Sequence, residues 1–289
     1  MARIHSSCLC GDVAWSVDGP LAFVHHCHCQ RCRKAHGTAF ATFGLFPAAS
    51  LRWERGQDGV VRFASSPVYT RAFCGRCGTI VPSGAAAFED LAETPLGPLD
   101  SGVTARPESH IFVGSKAPWY RIDDGLVQFE TYPGGVPDTP APQPDLVSPA
   151  PSGEGTRGSC LCGGVAFVAP GAPLRAASCH CGRCRKARAA AHAANYFTTR
   201  DGLRFTQGEE LLASYKMPAA RYFMQVFCRR CGAKMPRTDA ERNIAVIPLG
   251  SLDDAPPIVP EMHIFVASKA PWFELPADGL PRHAEGMPA

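Results

Sequence analysis

Fourteen cysteines in 289 residues set the chemistry this chain can do. They fall in close groups. Cys8 and Cys10 form a C-x-C pair, Cys27, Cys29 and Cys32 a short cluster, and Cys74 and Cys77 a C-x-x-C knuckle. The same groups return as Cys160 and Cys162, then Cys179, Cys181 and Cys184, then Cys228 and Cys231. Neighbours this close make awkward disulfides and good chelates, and in a reducing compartment such spacing points to metal.

Half of the cysteines, seven, belong to each set. A structural zinc takes four thiolates in a closed tetrahedron, and the remaining three, with one vacant position, match the arrangement of a catalytic zinc. The expectation is two Zn2+ ions per set, about four per chain. Cys27, Cys29 and Cys32 can be wrapped round one ion by a single loop, as can Cys179, Cys181 and Cys184. Two distant knuckles meeting at one ion would staple the start of each unit to its middle. This zinc-ribbon pairing is the expected one, although spacing alone also permits the swapped pairing.

The repetition extends beyond cysteine. His110 to Trp119 reads HIFVGSKAPW and returns with one change as His263 to Trp272, and every repeat is offset by roughly 152 residues. The expected organisation is a first unit at 4–132, a linker at 133–155 and a second unit at 156–284. The linker carries Pro133, Pro137, Pro140, Pro142, Pro144, Pro149 and Pro151, a composition that buries no core.

Within each unit the elements that must position the thiols are mostly strands. Val13, Trp15 and Val17 alternate after a Gly-Asp turn, echoed by Val165 and Phe167. Leu21 to His26 runs as a strand into the three-cysteine loop, Val60 to Phe63 and Val68 to Phe73 form a hairpin, and His110 to Val113 and Ile244 to Ile247 are short strands. Cys32 to Ala39, and more plainly Cys184 to Asn195, predict a helical turn or two.

Composition removes other classes. The net charge of +3, with no basic tail or stripe, excludes a nucleic-acid partner. No run of about 18 apolar residues predicts a membrane span, and the first ten residues hold no signal-peptide core, so a cytoplasmic protein is expected.

The order C-x-C, C-H-C-x-x-C-x-K, F-C-x-x-C-G, H-I-F-V-x-S-K-A-P-W resembles the glutathione-dependent formaldehyde-activating enzyme family, which includes centromere protein V. The resemblance covers both halves outside the linker and tail. It implies a mainly β chain of two tandem zinc-stapled β-tent units built from small twisted antiparallel sheets. It also implies closed zinc sites on Cys8, Cys10, Cys74 and Cys77 and on Cys160, Cys162, Cys228 and Cys231. Open catalytic sites then fall on Cys27, Cys29 and Cys32 and on Cys179, Cys181 and Cys184. The reaction it implies is a carbon–sulfur lyase chemistry, the joining of glutathione to formaldehyde as S-hydroxymethylglutathione.

A zinc held by three thiolates is a weak Lewis acid for a carbonyl but still favours deprotonation of a docked thiol. Glutathione or a related small thiol, with a small aldehyde, are the expected partners. Glutathione is anionic, so Arg31, Arg33, Lys34 and Arg71 are candidate substrate-binding cations in the first unit, with Arg76 beside the second knuckle and Arg183, Arg185 and Lys186 as counterparts. His28 and His180, between ligands, are expected behind the metal, and His110 and His263 as packing residues. Trp119 and Trp272 read as core anchors, and Lys116 and Lys269 as stems laid along apolar surface.

The copies differ. The first follows its cluster with Gly37-Thr38-Ala39-Phe40, like the family's G-[ST]-A-F, where the second has alanines. The second carries Gly250-Ser251-Leu252-Asp253-Asp254, like the family's G-S-L-D-D, where the first has Pro98-Leu99-Asp100. The first copy is expected to keep the better open site. A reading from another class is a non-catalytic zinc-stabilised thiol carrier or protein-interaction module. Methionine-R-sulfoxide reductase, of similar fold, needs a metal-free thiol, and every cysteine here sits in a knuckle or cluster.

Overall fold

A computed structural model describes residues 3–85, 90–133, 146 and 154–288, so most of the expected linker lies outside the described residues. Each copy is mainly β. In the first, a four-stranded antiparallel sheet runs Leu99–Ser101, Arg3–Ser7, Ala14–Asp18, Leu51–Arg55 in spatial order. The strand predicted after Gly11 forms with both faces covered: Trp15 and Val17 are buried, as are Ala14 and Ser16, and the indole Nε1 donates to Thr94 Oγ1 at 3.2 Å. An eight-stranded sheet packs beside it, its centre formed by Ala22–Cys27, Ala41–Pro47 and Leu91–Pro95. The hairpin predicted around Ser65 is Val60–Ser66 paired with Tyr69–Cys74.

The second copy repeats the plan with shorter sheets. Thr156–Ser159, Ala166–Ala169 and Arg204–Gln207 make one, and Arg175–Cys179, Ala193–Thr199 and Ile244–Pro248 lie at the heart of another. Each copy contains parallel pairing, which the sequence does not announce: Ser109–Ile111 lies along Ala22–Cys27 on one side and Val127–Gln128 on the other, and His263–Ile264 lies along Arg175–Cys179. That pairing returns the HIF motif to the three-cysteine loop, setting His110 opposite His26.

Two short helices follow the clusters, α1 (Gln30–His36) and α2 (Gly182–Arg188). The expected helix from Cys184 to Asn195 is therefore too long. Alanine favours helix, but Ala189 turns left-handed at φ 52° and Ala193–Thr199 pairs as a strand on both sides, so sheet contacts override propensity. At the equivalent end of α1 stands Gly37, φ 66°, where no side-chain penalty arises. A Cβ there would also lie 2.7 Å from Arg188 Nη1 and 2.9 Å from Lys234 Cβ.

Those neighbours belong to the other copy, and the two copies share their interior. Ala187, Ala191, Trp272 and Phe273 join the first copy's core cluster. The contacts are reciprocal. Lys34 on α1 donates to Ser159 O and Oγ, both at 3.0 Å, and to Asp253 at 2.5 Å. Lys186 on α2 donates to Ser7 O and Oγ and pairs with Asp100 at 2.6 Å. Phe73 and Phe227 meet edge to face at 6.2 Å, and Lys234 Nζ donates to Gly78 O and Gly232 O. Gly97 and Gly250 let backbones touch: a Cβ would lie 2.2 Å from Ala190 N in one case and 2.4 Å from Thr38 N in the other. The sequence difference at G-S-L-D-D is thus a difference in the seam between copies, and Asp100 performs there what Asp253 performs.

Candidate metal centres and the cavity of the first copy

The two distant knuckles of each copy converge. Cys8, Cys10, Cys74 and Cys77 have sulfurs all within 4.8 Å of one another, as do Cys160, Cys162, Cys228 and Cys231. The sulfurs of Cys8 and Cys10 are 3.3 Å apart and those of Cys162 and Cys228 3.9 Å. Four Zn–S bonds of about 2.3 Å in a tetrahedron place sulfurs about 3.8 Å apart, so the geometry fits one ion. The backbone supports it: Val13 N donates to Cys8 Sγ and Val165 N to Cys160 Sγ. Thiols packed this closely push one another's proton affinities apart: Cys74 is raised first by Cys10 and Cys231 first by Cys160, while Cys77 is lowered first by Cys10 and Cys162 first by Cys160.

Cys27, Cys29 and Cys32 form a separate group, as do Cys179, Cys181 and Cys184, the sulfurs of each within 4.8 Å of one another. Strand Ala22–Cys27 delivers the first sulfur and α1 the last. Cys29 caps α1, its sulfur accepting from Cys32 N at 3.4 Å, and Cys181 does the same for α2. These four groups could hold metal ions. Of the two pairings that spacing left open, only the distant knuckles come together.

In the first copy the three sulfurs open into a cavity of about 450 Å3. Its walls are chiefly apolar, including Phe23, Phe43, Leu45, Val68 and Phe112, and among its polar groups Arg71, Tyr69 and Glu93 stand together. Arg71 is buried and its Nη2 donates to Cys32 Sγ at 3.3 Å. Burial opposes the charge on Arg71, but Cys32, Tyr69 and Cys29 hold it above the ordinary guanidinium range. Beside it the Tyr69 hydroxyl donates to Glu93, whose carboxyl burial pushes up to about 7.

The cations singled out by sequence have separate fates. Arg31 and Arg71 line the cavity. Arg33 Nε donates to His28 O at 3.3 Å. Lys34 faces away, its ammonium taken up by the second copy, so its place beside the cluster reflects the seam between copies. Glu93 and Tyr69 were invisible, since nothing local in sequence ties them to a cysteine.

The second copy keeps the sulfurs but changes their surroundings. By position in the strands, Tyr69, Arg71 and Glu93 become Phe223, Gln225 and Val246, and Phe43 becomes Asn195. Arg188, standing where His36 does, is buried and donates to Asn195 Oδ1 at 3.0 Å. Burial lowers it to about 10, while Cys184 and Cys179 favour its charge. An arginine thus faces the thiols in both copies, but from different elements.

Each copy also holds a chain of rings behind its cluster. His28 Nε2 and His110 Nδ1 lie 2.8 Å apart, and His110 Nε2 is 2.9 Å from Asp124. His180, His263 and Asp278 repeat this at 3.0 and 2.9 Å. Burial first, then the neighbouring histidine, lowers His28 to about 3, keeping it neutral. His110 and His263 therefore do more than pack: they fix the orientation of the ring between two cysteines. The repeated Asp-Gly at 124–125 and 278–279 was the available signal. Trp272 is buried in the core as expected, and Lys116 and Lys269 close their loops on Tyr120 O and Phe273 O.

Among the described residues no helix is long and apolar enough to cross a membrane. A comparison with curated proteins gives no match. A solved Rhodobacter sphaeroides protein is 25% identical, covering 36% of this chain and 97% of its own, with a TM-score of 0.30. The sequence profile of the glutathione-dependent formaldehyde-activating enzyme matches twice, over residues 3–115 and 155–268. With both profile matches carrying the full set of cysteine groups, the chain belongs to the glutathione-dependent formaldehyde-activating enzyme family in two tandem copies.

Proposed function

We propose that this protein is a zinc-dependent carbon–sulfur lyase-like enzyme that joins a glutathione-type thiol to a small aldehyde in the first-copy cavity. The observation that carries the reading is the three-sulfur cluster of Cys27, Cys29 and Cys32 opening onto a cavity with a buried cation and a protonatable carboxyl. Zinc bound by those three thiolates would supply an open position that favours deprotonation of a docked thiol. Arg71, donating to Cys32, offsets the excess negative charge of the cluster. The chiefly apolar cavity walls would limit water around the reacting carbonyl.

The remaining task is proton movement, and Glu93 suits it. A carbon–sulfur bond forms between thiol and aldehyde, the carbonyl π electrons pass to oxygen, and that oxygen takes the proton of the Glu93 carboxyl. The proton given up by the thiol restores Glu93, so atoms and charge balance. Because the donor is the protonated carboxyl, catalysed adduction should fall as pH rises through about 7. Glu93→Gln should lower kcat by about 10²-fold and remove that limb, read from a pH–rate profile. The same shift has a stability consequence. A carboxyl raised from 4.5 to about 7 favours the folded state below 4.5, and the benefit is lost as pH rises through about 7, so Glu93→Gln should flatten that decline.

Metal analysis with thiol titration tests the whole reading. About four zinc ions per chain are expected. About two would leave the three-cysteine clusters empty and remove the basis for the lyase chemistry. Thiol binding with adduct formation at its spontaneous rate would instead favour the carrier.

A further inference from the structure

The cavity beside Cys27, Cys29 and Cys32 is far larger than formaldehyde, and its chiefly apolar walls leave the two carboxylates and the ammonium of a glutathione-type thiol to stay in water at its mouth. Cavities of about 300–1,000 Å3 ordinarily enclose ligands of many heavy atoms. Desolvating charged groups against Phe43, Leu45, Val68 and Phe112 would cost binding unless each found a partner. The two cations that line the cavity are already engaged, Arg71 with Cys32 Sγ and Arg31 with Ser65 O at 3.2 Å. At the rim Leu91 is one of the exposed large hydrophobic residues of the chain.

One wall is built at a conformational cost. Phe23 stands at φ 40°, in an irregularity where the register against Ala41–Pro47 shifts between Ala22 and His25. Bulges of this kind re-aim side chains, and strain held at a cavity wall points to use. Here the Phe23 ring stacks on His25 at 4.9 Å and faces the cavity. The corresponding strand of the second copy, Arg175–Cys179, pairs with regular register and begins with an arginine. Arg188 and Asn195 make that copy's surroundings polar. The apolar lining is thus a property of the first copy, and not a general consequence of the fold.

We propose that the first-copy cavity binds a reactant with an apolar body, an aryl or medium-length alkyl group attached to the thiol or the aldehyde. For the reaction itself this rests on the thiol-to-aldehyde reading above, but the binding preference is measurable without turnover. The zinc-loaded full chain would be titrated calorimetrically with benzyl mercaptan and with glutathione. 2-Phenylethanol and methanol, unreactive stand-ins for phenylacetaldehyde and formaldehyde, would be titrated in the same way into the chain saturated with glutathione.

Burying a phenyl group should give about tenfold or greater preference in one of the two series, and the series showing it identifies which reactant carries the apolar body. Val68→Asp, on a partly buried hairpin residue, should erase the preference with zinc content unchanged. Leu91→Asp at the exposed rim serves as a second variant should the first fold poorly. Absence of preference in both series, or preference untouched by both variants, overturns the proposal. Failure of the lyase reading looks different: apolar thiol still binds more tightly, yet no thiol–aldehyde pair reacts faster than it does spontaneously.

Discussion

Lys34→Met should destabilise the zinc-loaded protein by about 3–5 kcal/mol, a large fraction of a typical folding free energy. The reason lies at the seam between copies. Lys34 and Asp253 are 2.5 Å apart with side chains only 2% and 3% exposed. Burial pulls Lys34 below the usual lysine range, with Asp253 opposing, so each charge depends on the other to remain buried. Removing the ammonium strands a carboxylate and also leaves Ser159 O and Oγ without their donor.

The duplication supplies an internal control. Lys186 makes the same contacts with Ser7 and Asp100, but its pair is 25% and 41% exposed, so water can replace the lost partner. Lys186→Met should cost about 1 kcal/mol or less. Lys34→Met with Asp253→Leu should recover much of the loss, since replacing both members of a buried pair is far milder than breaking it. Urea denaturation at constant zinc reads all three. Equal cost for the two single variants would show that burial of the pair is not what fixes the seam.

The second large effect concerns catalysis. Cys29→Ser should remove one zinc and lower catalysed adduction by about 10²-fold or more, because the vacant position and the cavity belong to the same site. Cys181→Ser should also remove one zinc yet leave the rate within about twofold. Gln225, Val246 and Phe223 stand where the first copy has Arg71, Glu93 and Tyr69, so the proton-carrying group is missing there. Metal content and initial rates on the two variants suffice. Greater loss from Cys181→Ser would relocate the active site to the second copy.

Much of the site was legible because metal ligands come in local groups. Cysteines two or three residues apart already chelate, so the spacing of Cys27, Cys29 and Cys32 marks them before any folding. The strands were legible for a similar reason: alternation such as Val13, Trp15, Val17 follows from a period of two. The helix after Cys184 was misjudged in extent because alanine propensity is weak against two flanking strands.

Other features arise only when distant segments meet. Lys34 and Arg71 look alike as cations near cysteine motifs, yet one crosses to Asp253 and the other turns onto Cys32. Glu93 acquires its unusual proton affinity from desolvation, a property of the packed cavity and not of the residues beside it in sequence. His110 reaches His28 only through a parallel pairing across the fold. By itself the sequence determined the duplication, the cysteine groups that can hold metal, and the β character, because each is written in short-range spacing. The tertiary structure alone decided which charges face the sulfurs, which tie the copies together, and that the first cavity is apolar, because burial and long-range pairing set those environments.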